Sequence, residues 1–206
     1  MARSKSSDRW LKEHFDDPYV QKAQIQGRRS RASFKLEEVQ RKDGLIQPGH
    51  VVVDLGAAPG SWTELAASWT GPSGCVFALD ILPMDSIADV DIILGDFTEE
   101  NVLTTLLQKL NGAKVDVVLS DMAPNMSGNK SVDQPKAMYL CELALDFARL
   151  TLSPGGSFFI KVFHGEGFDA FFNELRLEFS ILKTRKPSAS RSRSRETYLS
   201  AKGFRS

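Results

Sequence analysis

The sequence predicts an α/β domain built on a mostly parallel, doubly wound sheet with helices on both faces. Three observations carry that expectation. From residue 51 onward, short runs rich in Val, Ile and Phe alternate with segments of helical period, as in strand–helix–strand units. The runs are apolar almost throughout, which suits strands covered on both faces. Glycine- and proline-rich turns separate them, and no repeat or compositional break marks a second domain.

The elements follow in order. SRASFKLEEVQRK (30–42) has the spacing of an amphipathic helix, with Phe34, Leu36 and Val39 on or near one face. VVVDL (51–55) is the first strand, and its Gly/Pro turn opens the helix SWTELAASW (61–69). CVFALD (75–80) and VDIILGD (90–96) are the next strands. The amphipathic helix NVLTTLLQKL (101–110) then leads to the strand VDVVLSD (115–121). QPKAMYLCELALDFARLTL (134–152) reads as a long helix, which SPGG ends before the strand SFFIKVF (157–163). FDAFFNELRLEF (168–179) is helical, and FSILKT (179–184) and TYLSAK (197–202) are the remaining strands. The expected organisation is one domain, 30–206, behind a basic extension, 1–29.

With 206 residues, 42% hydrophobic and 25% charged, the composition is that of an ordinary soluble globular chain. No run approaches the roughly 18 apolar residues of a membrane helix. MARSKSSDRW is basic with no apolar stretch after it, so no secretory signal is expected. Asp8, Glu13, Asp16 and Asp17 argue against a transit peptide. A cytoplasmic protein is expected. Cys75 and Cys141 lack CxxC or Cys/His spacing and read as reduced core residues, with no metal site. No surplus apolar patch is evident, so a monomer is expected. The net charge of zero conceals segregation. Residues 1–35 hold 9 Lys/Arg against 4 Asp/Glu, residues 183–206 hold 8 against 1, and the middle holds 9 against 21. Two basic ends around an acidic body suggest a face for a polyanion, and hence nucleic acid.

Two stretches carry chemistry. VVVDLGAAPGSW (51–62) places Gly56 and Gly60 in the first strand–helix turn, where doubly wound sheets bind ligands. The spacing is neither the dinucleotide fingerprint nor a phosphate loop. Pro59 also removes an N–H that a pyrophosphate cradle would use. The turn therefore suits a nucleoside without phosphates. Asp80 and Asp96 end the next two strands, within reach of ribose hydroxyls and an adenine amine, although a strand-end Asp serves equally as a turn former. The second stretch is SFFIKVF, because a lysine inside such a run is seldom buried unless it is paired or employed. A lysine can act as a base only when it is neutral part of the time. Desolvation and a second nearby cation both favour that state, and Lys161 meets the first condition by sequence.

Taken together, DLGAAPGSW, ALDILPMD, GDF, SDMAPNMSG, GGSFFIKVFHGEG and RKPSASRSRSRETYL resemble the FtsJ family of S-adenosylmethionine-dependent ribose 2′-O-methyltransferases, over about Trp10 to Gly203. The likeness is narrowest to members that methylate a uridine ribose in the large ribosomal subunit. It implies a Rossmann-like methyltransferase domain, with S-adenosylmethionine contacted by Gly60, Trp62, Asp80, Asp96 and Asp121. An aromatic at a helix start is otherwise more often core, and this holds for Trp62. The resemblance also implies that Lys35, Asp121 and Glu196 join Lys161 in a K-D-K-E cluster with no net charge. In that cluster Lys161 takes the hydroxyl proton or holds the hydroxyl lone pair toward the methyl. Asp121 orients Lys161, while Lys35 and Glu196 position the ribose. The family's tetrad does not use the position of His164, which therefore reads as a residue behind the catalytic ones or a structural one.

SDMAPNMSG lacks the aromatic and second proline of an amino-methyltransferase loop, which favours oxygen as the acceptor. Arg28, Arg29 and Arg31 precede Lys35, and Arg185, Lys186, Arg191, Arg193 and Arg195 precede Glu196. These residues are expected to contact phosphates, which set register without reading bases. A 2′-hydroxyl exists only in RNA. The resemblance names 23S ribosomal RNA in the 50S particle as the partner. Transfer RNA, an mRNA cap, or a non-catalytic role in ribosome assembly remain alternatives.

Overall fold

The computed structural model describes residues 16–191 and 193–205, so expectations about residues 1–15 lie outside it. In chain order the elements are α1 (Pro18–Ile25), α2 (Ser33–Asp43), β1 (Val51–Leu55), α3 (Ser61–Thr70), β2 (Cys75–Asp80), β3 (Val90–Leu94) and α4 (Glu100–Leu110). They continue with β4 (Val115–Ser120), α5 (Lys130–Thr151), β5 (Leu152–Phe163), α6 (Phe168–Glu178), β6 (Phe179–Arg185) and β7 (Glu196–Phe204). The seven strands form one sheet in the order β3-β2-β1-β4-β5-β7-β6. The pairs among β1 to β5 are parallel, and β7 runs antiparallel to both β5 and β6.

Both faces of the sheet are covered. Alternate strand residues such as Val53, Leu55, Phe158, Ile160 and Val162 meet Leu106, Leu145, Phe171 and Leu175 of α4, α5 and α6. The intervening residues Val52, Val117, Leu119 and Phe159 meet Leu36 and Val39 of α2 and Trp62 and Ala66 of α3. This is why the central strands β1, β2, β4 and β5 read as apolar runs: residues one apart point to opposite faces and each face is buried, whereas the edge strands β3 and β6 are largely exposed. Phe34 turns to a separate small cluster with Ala23 and Ala189, so α2 buries two sides. Lys35 lies between them. The chain reverses direction across the sheet between β1 and β4, opening a crevice at their carboxyl ends.

Three expectations change. The long helix begins at Lys130 rather than residue 134, because Asn129 caps it by accepting from the Ser131 amide, and Pro135 is taken into the helix. SPGG belongs to β5, whose register with β4 shifts between Val115 and Val117. Cys141 is buried as expected, and burial pushes its thiol up to about 12, but Cys75 is exposed. As the first residue of β2, Cys75 precedes the stretch the helices cover. No described helix is long and apolar enough to cross a membrane.

Candidate active site

The site is assembled from the ends of β1, β2, β4, β5 and β7 together with the first turn of α2. Lys161, only 9% exposed, donates to the Asp121 backbone oxygen at 2.5 Å and pairs with Asp121 Oδ1 at 3.0 Å. Asp121 follows β4, and its amide is fixed to the Leu55 carbonyl at 3.1 Å. In the antiparallel β5/β7 ladder Lys161 lies opposite Tyr198 and Phe163 opposite Glu196. Glu196 and Tyr198, two apart on one strand, project to the same face. Lys35 enters from α2, 2.9 Å from Glu196 Oε1 and 2.8 Å from the Tyr198 hydroxyl, to which it donates. That hydroxyl donates in turn to Asp121 Oδ1 at 2.9 Å. The result is one chain: Glu196, Lys35, Tyr198, Asp121, Lys161.

The structure thus brings together all four residues of the expected K-D-K-E cluster and adds Tyr198, which sequence reasoning missed. Tyr198 is fully buried, stacked on Phe159 at 5.2 Å and 5.9 Å from Trp62. Its place two residues after Glu196 on a strand was the available signal, but a tyrosine in a strand also fits ordinary strand preference.

The electrostatics follow from the pairing. Burial works against the Asp121 and Glu196 carboxylates. The lysines overcome it, Lys161 and Lys35 at Asp121 and Lys35 at Glu196, and hold both acids below the usual range. The Tyr198 hydroxyl is pushed well above its ordinary value by burial and by the charges of Asp121 and Glu196. It remains a neutral donor.

Beside Asp121 lies the glycine turn. Gly56 and Gly60 have φ of +79° and +97°, and a Cβ on Gly56 would stand 2.8 Å from the Met122 amide nitrogen. Only glycine lets the turn pass this close to the segment after β4. Asp80 spans the turn and the loop beyond β2, accepting from the Ala58 amide on Oδ2 and the Leu82 amide on Oδ1, both at 2.8 Å. Each oxygen keeps a second acceptor position. Asp96 Oδ1 accepts from the Thr98 amide and hydroxyl, the turn-forming use of a strand-end Asp. Trp62 is buried, its indole N–H bonded to the Ala32 carbonyl at 2.8 Å, so it supports α2 from below.

Asp54 is fully buried under the turn. It accepts from the Thr63 hydroxyl at 2.6 Å, and its Oδ1 has no partner. Burial, aided by Asp121 and Asp80, pushes its carboxyl up to about 7. A crevice bordered by Asp80, Asp96 and Asp121 and by open backbone, with Asp54 beneath it, fits a ligand that is cationic and hydroxyl-rich, and does not fit a polyphosphate.

On the opposite side of Lys35, a cavity of about 480 Å³ is lined by Arg31, Lys35, Arg191, Arg193, Ser194 and Glu196. Arg31 bonds the Ala189 carbonyl and pairs with Asp17, and Arg191 lies 3.7 Å from Asp17. Arg195 donates to the His164 carbonyl, while the His164 ring packs 4.3 Å from Phe168, outside the cluster as expected. Arg28 pairs with Glu37 at 2.6 Å and covers Phe34. Arg29 turns toward the glycine turn instead. Arg185 is committed to Asp43 and Lys186 to the backbone of Ser194.

The model of the FtsJ-like methyltransferase family matches residues 28–204. The chain belongs to this family. It is therefore a methyltransferase, and membership implies use of S-adenosylmethionine, whose sulfonium, ammonium and ribose diol suit the acidic crevice. A curated relative, "Ribosomal RNA large subunit methyltransferase E" of Chromohalobacter salexigens, is 62% identical over 208 residues, covering 99% of each chain. A solved structure of a putative ribosomal RNA methyltransferase from Plasmodium falciparum is similar at TM-score 0.77 and 29% identity, covering 85% of this chain and 98% of that one. A putative rRNA-methylase from Clostridium thermocellum, at TM-score 0.57 and 19% identity over 82% of this chain and 97% of that one, shares the Rossmann-like fold.

Proposed function

We propose that this methyltransferase alkylates the 2′-hydroxyl of a uridine ribose in 23S ribosomal RNA within the assembled 50S particle, with Lys161 receiving the hydroxyl proton. The observation that carries this reading is the hold on Lys161. Its two contacts to Asp121 occupy two of the ammonium's three hydrogens and fix the third position toward the hydroxyl, where loss of that hydrogen leaves the lone pair that takes the hydroxyl proton. S-adenosylmethionine supplies an activated methyl when bound. Asp80 takes the ribose hydroxyls of the cofactor, and Asp121 borders both the glycine turn and Lys161. Gly56, Gly60, Asp96 and Trp62 complete or support that side.

Lys35 and Glu196 face the arginine-lined cavity, so an RNA phosphate held there by Arg31, Arg191 or Arg193 would bring its ribose toward the cluster that ends at Lys161. The approach then becomes a matter of orientation, the chief need of a displacement on a reactive methyl. A large-subunit substrate is supported by the name of the 62% identical relative.

The test has two parts. Labelled-methyl transfer to 50S particles from a strain lacking the gene should proceed with wild type and fall by orders of magnitude with Lys161→Met. Ribose-methylation mapping in that strain should show one missing mark in 23S RNA. A missing mark in transfer RNA or an mRNA cap would move the substrate. Equal inertness of wild type and variant, with RNA binding kept, would make the protein an assembly factor.

A further inference from the structure

Arg29 sits in the basic run ahead of Lys35, yet its guanidinium is spent on the cofactor side. Nη1 donates to the Pro59 carbonyl at 3.2 Å and to the Asp85 carbonyl at 3.1 Å, and Nη2 to the Ser86 carbonyl at 3.1 Å. Nε stands 3.8 Å from Glu64. Pro59 belongs to the glycine turn, whereas Asp85 and Ser86 belong to the loop between β2 and β3. A planar fork of donors can tie two such strips of carbonyls, and a lysine cannot reproduce it.

The same two segments are joined from within by Asp80, which takes their amides at Ala58 and Leu82. A carboxylate gathers the N–H groups on one side, and a guanidinium gathers the C=O groups on the other. A Cβ on Gly60 would lie 3.3 Å from Arg29 Cδ and Nη1, so the arginine packs directly on the turn. The adjoining residues are stitched there too. Ser30 Oγ is 2.7 Å from Ser61 Oγ, and the Ala32 carbonyl accepts from Trp62.

We infer that Arg29 is a positioning residue for the S-adenosylmethionine site, clamping the 56–60 turn to the 81–87 loop, and is not an RNA phosphate contact. With the clamp intact, Asp80 presents its remaining lone pairs at a fixed spacing. Without it, the two loops part, and the ordering they need is drawn from binding. This rests on the cofactor half of the proposal above and is independent of which RNA is methylated.

The test uses S-adenosylhomocysteine, whose binding needs no turnover, titrated calorimetrically into wild type, R29K and R29A. Both variants should bind it about tenfold more weakly, the scale of one missing charge-assisted bond. The KM for S-adenosylmethionine should rise more than kcat falls. The slope of RNA affinity against salt should match wild type, whereas removal of a phosphate partner lowers it by about one in R29A. If R29A fails to fold, R29K decides, since it keeps charge and stem. Wild-type S-adenosylhomocysteine affinity in R29K, even with a lower melting temperature, or a reduced salt slope in R29A, overturns the inference. Normal S-adenosylhomocysteine binding by wild type with no methyl transfer to 50S particles would instead sink the substrate assignment and leave the clamp standing.

Discussion

Tyr198→Phe is the most informative perturbation, because it deletes one oxygen from the middle of the cluster and leaves every charge in place. That oxygen accepts from Lys35 at 2.8 Å and donates to Asp121 at 2.9 Å. Lys35 retains Glu196, and Asp121 retains Lys161, so each ion loses one partner and neither is stranded. Hydrogen bonds to charged groups contribute about 1.5–3 kcal/mol. Two such bonds taken at the lower end come to about 3 kcal/mol of positioning energy, or roughly a hundredfold in kcat/KM. The ring keeps its stacking on Phe159, so the fold should persist with a stability loss of about 1–3 kcal/mol. The assay is single-turnover methyl transfer at saturating S-adenosylmethionine, run beside chemical denaturation and S-adenosylhomocysteine binding. A cycle with Glu196→Gln should be non-additive, since both residues hold Lys35. A rate within threefold of wild type, or strict additivity in the cycle, would refute the idea that the hydroxyl joins two ion pairs into one unit.

Asp80→Ala should raise the dissociation constant for S-adenosylhomocysteine by at least tenfold while RNA affinity stays near wild type; equal losses in both would contradict the division of the site. Replacing Arg191 and Arg193 by alanine should lower the salt slope of RNA binding by about one for each phosphate no longer neutralised, measured by filter binding at several salt concentrations. Asp54, raised to about 7, holds a proton that the unfolded chain releases near pH 4. Its contribution to stability is greatest below that unfolded pKa, falls as pH rises to about 7 and then levels, a span of at most about 4 kcal/mol. Asp54→Asn should abolish that falling component in denaturation curves taken from pH 4 to 8. Asp43, whose side chain is 1% exposed between Arg185 and Lys183, ties α2 to β6. Asp43→Ala should cost about 2–4 kcal/mol of stability and leave S-adenosylhomocysteine binding nearly unchanged.

The central strands were legible because burial on both faces writes itself as an apolar run, and Lys161 was legible because it interrupts one. Lys35, Asp121 and Glu196 are ordinary by local context; each is a charged residue on a helix, at a strand end or after a basic run. Only the family resemblance gathered them. The insertion of β7 between β5 and β6 was not readable, since strand order depends on partners far apart in the chain. Tyr198 became visible only once that pairing set it opposite Lys161. The first turn of α5 was not readable, since Lys130, Ser131 and Asp133 carry no apolar period and its start is fixed by the Asn129 cap alone. Arg29 illustrates a different limit: a basic run predicts charge on a surface, but not which way each guanidinium turns.

The placement of β7 also has a consequence for biosynthesis. β6 leaves the ribosome before it, yet β6 joins the sheet only through β7, and β7 carries both Glu196 and Tyr198. A nascent chain that has reached Arg185 already holds Lys35 and the directly paired Asp121 and Lys161, but has nothing to link Lys35 to that pair. The whole cluster is thereby completed only when the late hairpin docks, the last step of the chain's own assembly.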